Sequence, residues 1–171
     1  MPPKKPQPSR PPAVQDAELD MAAALGRSTM ESLQKVFERL DRNNDGKIDK
    51  EELMQQFEDL GYRPRKTTDY GNSEVEDVSW EVDEDCDGLI DWDNFVLMYY
   101  RCRMDKTGCE PKRLFTLAEF MIYDKDGSGT VNEDECMEMM YARFGKENVE
   151  RMTEDLFKHD ADGDRNISYQ E

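Results

Sequence analysis

Carboxylates and amides recur at fixed intervals in the run Asp41-Arg-Asn-Asn-Asp-Gly-Lys-Ile-Asp-Lys-Glu-Glu52. Oxygen donors at positions 1, 3, 5, 7, 9 and 12 of a twelve-residue loop, with glycine at 6 for the sharp turn, form a cage for a hard cation such as calcium. Asp41, Asn43 and Asp45 supply side-chain oxygens, Lys47 its carbonyl, Asp49 a contact through water and Glu52 a bidentate carboxylate, around Gly46. Every position that the coordination of calcium requires is filled.

Three further stretches repeat the scheme. Asp124, Asp126, Ser128, the Thr130 carbonyl, Asn132 and Glu135 surround Gly129, a complete set with one acid fewer and so with less pull on the ion. Asp83, Asp85, Asp87 and Asp91 surround Gly88, but the twelfth residue is Asn94, which has one carbonyl oxygen where a bidentate carboxylate is wanted. Asp160, Asp162, Asp164 and Glu171 form the last set, with Arg165 at the sixth position, a bulky residue forced toward positive φ and a cation beside the cage. Loops one and three are therefore expected to bind calcium strongly, with magnesium as a competing hard cation. Loops two and four are expected to bind weakly or to stay empty.

Such loops need rigid flanks. Met30, Leu33, Val36, Phe37 and Leu40 fall at helical spacing ahead of the first loop, behind a Ser28-x-x-Glu31 capping signature, and Leu53, Phe57 and Leu60 follow it as far as Gly61. Val75, Val78 and Val82, behind Ser73-x-x-Glu76, and then Phe95, Met98 and Tyr99 frame the second loop. Leu114, Leu117, Ala118 and Met121 lead into the third and Cys136, Met139 and Met140 out of it, while Val149, Met152 and Leu156 enter the fourth. The sequence stops at Glu171, the twelfth residue of that loop, so the helix leaving it is expected to be missing.

The expected fold is all-α, four helix-loop-helix units paired into two lobes. Ile48, Ile90, Val131 and Ile167 occupy the eighth position of their loops, where β-branched residues predict short antiparallel β-bridges joining loop one to two and three to four. Residues 1–12 hold six of the eight prolines with Lys4, Lys5 and Arg10, and read as a disordered tail. Residues 13–27 read as an N-terminal helix, 28–103 as the first pair, 104–113 as a linker broken at Gly108 and Pro111, and 114–171 as the second pair.

Lysine and arginine total 23 against 40 aspartates and glutamates, a net charge of -17 that repels nucleic-acid phosphates and anionic lipid headgroups. No apolar run is long enough to span a bilayer, and the N-terminus shows neither a secretory apolar core nor a myristoylation glycine, so a soluble intracellular protein is expected. Cys86, Cys102, Cys109 and Cys136 form no Cys-x-x-Cys pair and are expected to be reduced thiols, without zinc. The one histidine, His159, has no evident serine or cysteine partner, and no phosphate-binding glycine loop occurs, which argues against an enzyme.

From Ser28 to Glu171 these motifs resemble the EF-hand superfamily of calmodulin, troponin C and centrin, with Phe37 and Phe120 four residues ahead of their loops as in that family's entering helices. The Pro-Lys start, Cys86 within the second loop, Asn94 and Arg165 look more narrowly like the calmodulin-like subunits of flagellar outer dynein arm docking complexes. That resemblance implies coiled-coil docking subunits of a larger complex as partners, on axonemal doublet microtubules, and a cytoskeletal, flagellar setting.

The leading expectation is a regulatory subunit in which metal opens helix pairs and exposes a methionine-lined groove for a partner helix. The alternatives are a constitutive subunit gripping its partner helix at any calcium level, a cation buffer, disfavoured by the two damaged loops, and thiol redox control through Cys86. Inert cysteines are favoured over that redox control.

Overall fold

The computed structural model describes residues 21–66, 73–145, 149–160 and 162–171. The proline tail, the start of the N-terminal helix and most of the connector after Gly61 lie outside them. Helix α1 is helical over residues 21–25 and gives way at Gly26, whose φ of 82° lets the chain turn directly into α2, Arg27–Leu40. This corrects the expected Ser28 cap: the cap position is Gly26, two residues earlier, no side chain caps the helix, and Glu31 pairs instead with Arg27 at 2.9 Å on the exposed face. The second signature behaves as its residues demand. Ser73 accepts the Glu76 N–H at 3.2 Å while Glu76 accepts the Ser73 N–H at 2.9 Å, closing a capping box at the start of α4, Glu74–Val82.

Three helix-loop-helix units and a fourth entering helix with its loop follow one another among the described residues. Helix α2, strand β1 (Lys47–Ile48) and α3 (Lys50–Asp59) form the first, and α4, β2 (Ile90–Asp91) and α5 (Trp92–Met104) the second. Helix α6 (Arg113–Tyr123), β3 (Thr130–Asn132) and α7 (Glu133–Phe144) form the third. The fourth has α8 (Val149–Leu156), a 3₁₀ turn at Phe157–His159 and β4 (Asn166–Ser168). The bridges predicted at position eight are present: Ile48 pairs with Ile90 and Val131 with Ile167, both antiparallel. No helix among the described residues is long and apolar enough to cross a membrane.

The apolar stripes meet in one cluster. Leu33, Phe37 and Leu40 of α2, Phe57 of α3, Val78 of α4 and Phe95 of α5 belong to it, and so do Leu114, Leu117 and Met121 of α6. The core thus runs from the first pair into the second. Between α5 and α6 the chain bends in an ordered turn, in which Asp105 accepts the N–H groups of Thr107, Gly108 and Glu110 at 2.7, 3.0 and 3.2 Å. The thiol of Cys102 donates to the Pro111 carbonyl at 3.2 Å, and Arg101 ties Glu84 to Glu110. Tyr169 of the last loop lies against Phe57, Tyr62 and Phe120 with ring centroids 5.8, 5.8 and 5.5 Å away, so the second pair also reaches back onto the first.

Tyr99 is the buried pivot of the α5–α6 corner, its ring 5.0 Å from that of Phe115 and its hydroxyl donated to Glu119. Burial, and then the carboxylate that accepts its hydrogen bond, raise the phenol far above its ordinary pKa of 10.0. Because the folded-state value is the raised one, the stabilisation is complete below pH about 10 and is lost as the pH climbs beyond it. Tyrosinate absorbance and circular dichroism, followed together in an alkaline titration, should show a late phenol ionising with unfolding. Tyr99→Phe should remove the latest of these phenols and leave that of Tyr169, which burial pushes up to about 12; ordinary ionisation of all seven tyrosines in a still-folded chain would contradict the prediction.

Candidate metal centre

Each loop is shaped by its own first carboxylate. In the first loop Asp41 accepts the N–H of Asp45 at 3.1 Å and of Gly46 at 2.8 Å, wrapping the chain around the carboxyl group. Asn43 accepts from Asp45 N–H and Asp45 from Lys47 N–H, so successive donor oxygens turn inward in Asx-type turns. At the far end Asp49 caps α3 by accepting the Glu52 N–H, and Glu52 returns its two oxygens to Asp49 N–H at 3.0 Å and Asn43 N–H at 3.1 Å. A buried glutamate thereby spans the loop from its ninth position to its third.

The third loop repeats this with different residues. Asp124, fully buried, accepts from Ser128 N–H at 2.9 Å and Gly129 N–H at 3.3 Å. Asp126 accepts from Ser128 N–H at 2.9 Å, and the Ser128 hydroxyl donates to the Thr130 carbonyl. The Ser128 hydroxyl and then its N–H hold the Asp126 carboxyl below its ordinary range. Glu135 accepts from Lys125 N–H at 2.9 Å and Asn132 N–H at 3.1 Å, while Asn132 caps α7. Carboxylate oxygens of Asp124, Asp126 and Glu135 lie within 4.8 Å of one another. All-oxygen donors crowded at that range, two of them buried, fit a hard divalent ion.

The second and fourth loops also gather three carboxylates each, Asp83 with Asp85 and Asp87, and Asp160 with Asp162 and Asp164. The first loop brings no such trio together, its third position being the amide Asn43. In the second loop Asn94 contributes no reciprocal cap to Asp91, and its amide instead faces Asp85. The neighbouring Asp83 carboxylate raises the pKa of Asp85. A cation does reach the loop's edge: Lys47 of the first loop places its ammonium on Asp87 and lowers that carboxyl's pKa.

Arg165 adopts the positive φ predicted for it, 63°. Its guanidinium, expected beside the cage, turns outward to Glu133 of α7 at 3.0 Å, because that carboxylate lies across the β3–β4 bridge. Its N–H is what binds the loop, donating to Asp160 at 2.9 Å. Sequence reasoning missed two contacts: the Lys47 ammonium on Asp87, and Arg39 of α2 on Asp124 at 3.1 Å. It also missed that the fourth position of every loop is left-handed: Asn44, Cys86, Gly127 and Gly163 all have positive φ. Asparagine and glycine at three of those positions are the signal that was there to read.

The sequence profile of an EF-hand domain pair matches residues 30–100, and that of a single EF hand matches residues 117–140. The chain is 33% identical over 149 residues to "Probable calcium-binding protein CML27" of Arabidopsis thaliana, covering 87% of this chain and 79% of that protein. It is 29% identical over 153 residues to "Putative calmodulin-like protein 6" of Oryza sativa subsp. japonica, covering 88% and 85%. A match of 28% identity to "Calcium-dependent protein kinase 10" of Arabidopsis thaliana covers 88% of this chain but only 26% of the kinase. With the paired loops, their bridges and these relatives together, the chain belongs to the EF-hand family as a calmodulin-like protein.

Proposed function

We propose that the chain is a calcium-responsive regulatory subunit, with working sites in loops one and three and weak or empty sites in loops two and four. The observation that carries the reading is the oxygen cage of the third loop, where buried Asp124 and Glu135 converge with Asp126 within 4.8 Å. The first loop has the same hydrogen-bonded scaffold around a richer ligand set, and a relative's name, calcium-binding protein, points the same way. Magnesium is the competitor that such oxygens admit. The proposed partner is a helical or coiled-coil segment of a larger complex, for which the narrower resemblance suggests a docking complex of the flagellar outer dynein arm. Nucleic acid and membrane are not proposed as partners, given the net charge of -17.

A second reading, a constitutive subunit that holds its partner at any calcium level, draws on the cations already seated on loop carboxylates, Lys47 on Asp87 and Arg39 on Asp124. Capture of the native partner with calcium and with chelator separates the two. Complex lost in chelator supports regulation, and complex equal in both supports the constitutive role. The loop scoring has its own check. Asn94→Glu replaces one carbonyl oxygen by a bidentate carboxylate and should add one calcium per chain in calorimetry, and an unchanged stoichiometry would sink the account of the second loop.

A further inference from the structure

Arg39 belongs to the first hand, two residues ahead of the Asp41 loop, yet both terminal nitrogens of its guanidinium are engaged by the third. One nitrogen donates to the backbone carbonyls of Asp124 at 2.9 Å and Met121 at 3.2 Å. The other donates to the Asp124 carboxylate at 3.1 Å, with Gly127 of the same loop packed beside it. The carbonyl contacts explain its placement without any metal: a cation at the C-terminal end of α6 satisfies orphan carbonyls and faces the negative end of the helix. The carboxylate contact has a different consequence. Asp124 has no exposed surface, so the guanidinium is the neighbour that offsets its charge where water cannot.

We infer that Arg39 is a built-in counter-cation of the third loop, a positioning residue that competes electrostatically with the metal there and couples occupancy of that loop to the seating of α2 on α6. The inference rests on the reading that the third loop binds calcium. A divalent ion beside Asp124 meets a fixed positive charge on the same carboxylate, and the repulsion weakens both contacts at once. By linkage the effect is reciprocal: the ion loosens Arg39, and removal of Arg39 tightens the ion. Lysine keeps the charge but has no planar fork with which to hold two carbonyls and a carboxylate together. The two properties of Arg39, charge and seating, are thereby separable.

The test is calcium titration of the full chain by calorimetry for the parent, Arg39→Gln and Arg39→Lys, with Glu135→Gln added to each to identify the third-loop event. Arg39→Gln should tighten that event by about fivefold or more, with a gain that shrinks as salt is raised, while Arg39→Lys stays close to the parent. In nitrogen-labelled parent protein the Arg39 side-chain N–H resonance should move on calcium addition, and should not when Glu135→Gln is present. A third-loop affinity in Arg39→Gln equal to or weaker than the parent's overturns the inference while leaving calcium binding intact. Absence of any third-loop event in the parent overturns the calcium reading itself and this inference with it.

Discussion

Glu52→Gln and Glu135→Gln together should abolish tight calcium binding, and each alone should remove one of the two strong events. Both glutamates are buried, and each spreads its two oxygens between N–H donors at opposite ends of its loop: Asn43 and Asp49 for Glu52, Lys125 and Asn132 for Glu135. A glutamine has the same length but one oxygen, and its NH₂ group must face an N–H donor or the ion. It removes a charge and half of a bidentate contact, a loss of about 3 kcal/mol or roughly a hundredfold in affinity per site. The helices should survive, because glutamine serves at the third helical position of a capping box as glutamate does. Calorimetry with circular dichroism distinguishes the outcomes. Undiminished binding in a folded double variant would mean that the ion, if held, sits elsewhere.

What could be read in the sequence was local. The four loops announced themselves because each ligand set lies within twelve consecutive residues and the chemistry of calcium dictates their spacing. Helices followed from apolar residues three and four apart, and Ile48, Ile90, Val131 and Ile167 marked bridges because one β-branched position recurred in every loop. The contacts that escaped were between distant residues or depended on backbone detail. Arg39 and Asp124 lie 85 residues apart, and nothing in either neighbourhood points to the other. Lys47 enters the coordination scheme through its carbonyl, and its ammonium has reach enough to touch a neighbouring loop in any of several directions. Ser28 carried a genuine capping signature that lost to Gly26, whose positive φ let α2 begin without it. The Tyr169 contact with Phe57 and Phe120 belongs to the same class, set by how two pairs meet rather than by either pair's own pattern.

The continuity of the core across the two pairs makes the largest stability prediction. Leu117 of α6 has no exposed surface and belongs to the same cluster as Leu33, Phe37 and Phe95 of the first pair. Leu117→Ala should therefore cost about 2–5 kcal/mol, the range for truncating a fully buried leucine whose cavity cannot collapse. The consequence for cooperativity is sharper than the magnitude. Trp92 sits in the first pair, edge-on to Phe37 at 5.5 Å between ring centroids, so its fluorescence reports that pair alone. If the two pairs packed separately, a cavity in α6 would leave the Trp92 transition in place and shift only the signal of the second pair. With one core, the lost methyl groups are felt on both sides of the α5–α6 corner. The denaturant midpoint read at Trp92 should then fall together with that read by far-ultraviolet circular dichroism, at an unchanged slope. Trp80, 77% exposed on α4, is best replaced by phenylalanine first so that the emission comes from Trp92. A Trp92 midpoint that stays at the parent value while the ellipticity transition splits would show two independent cores and refute the shared one.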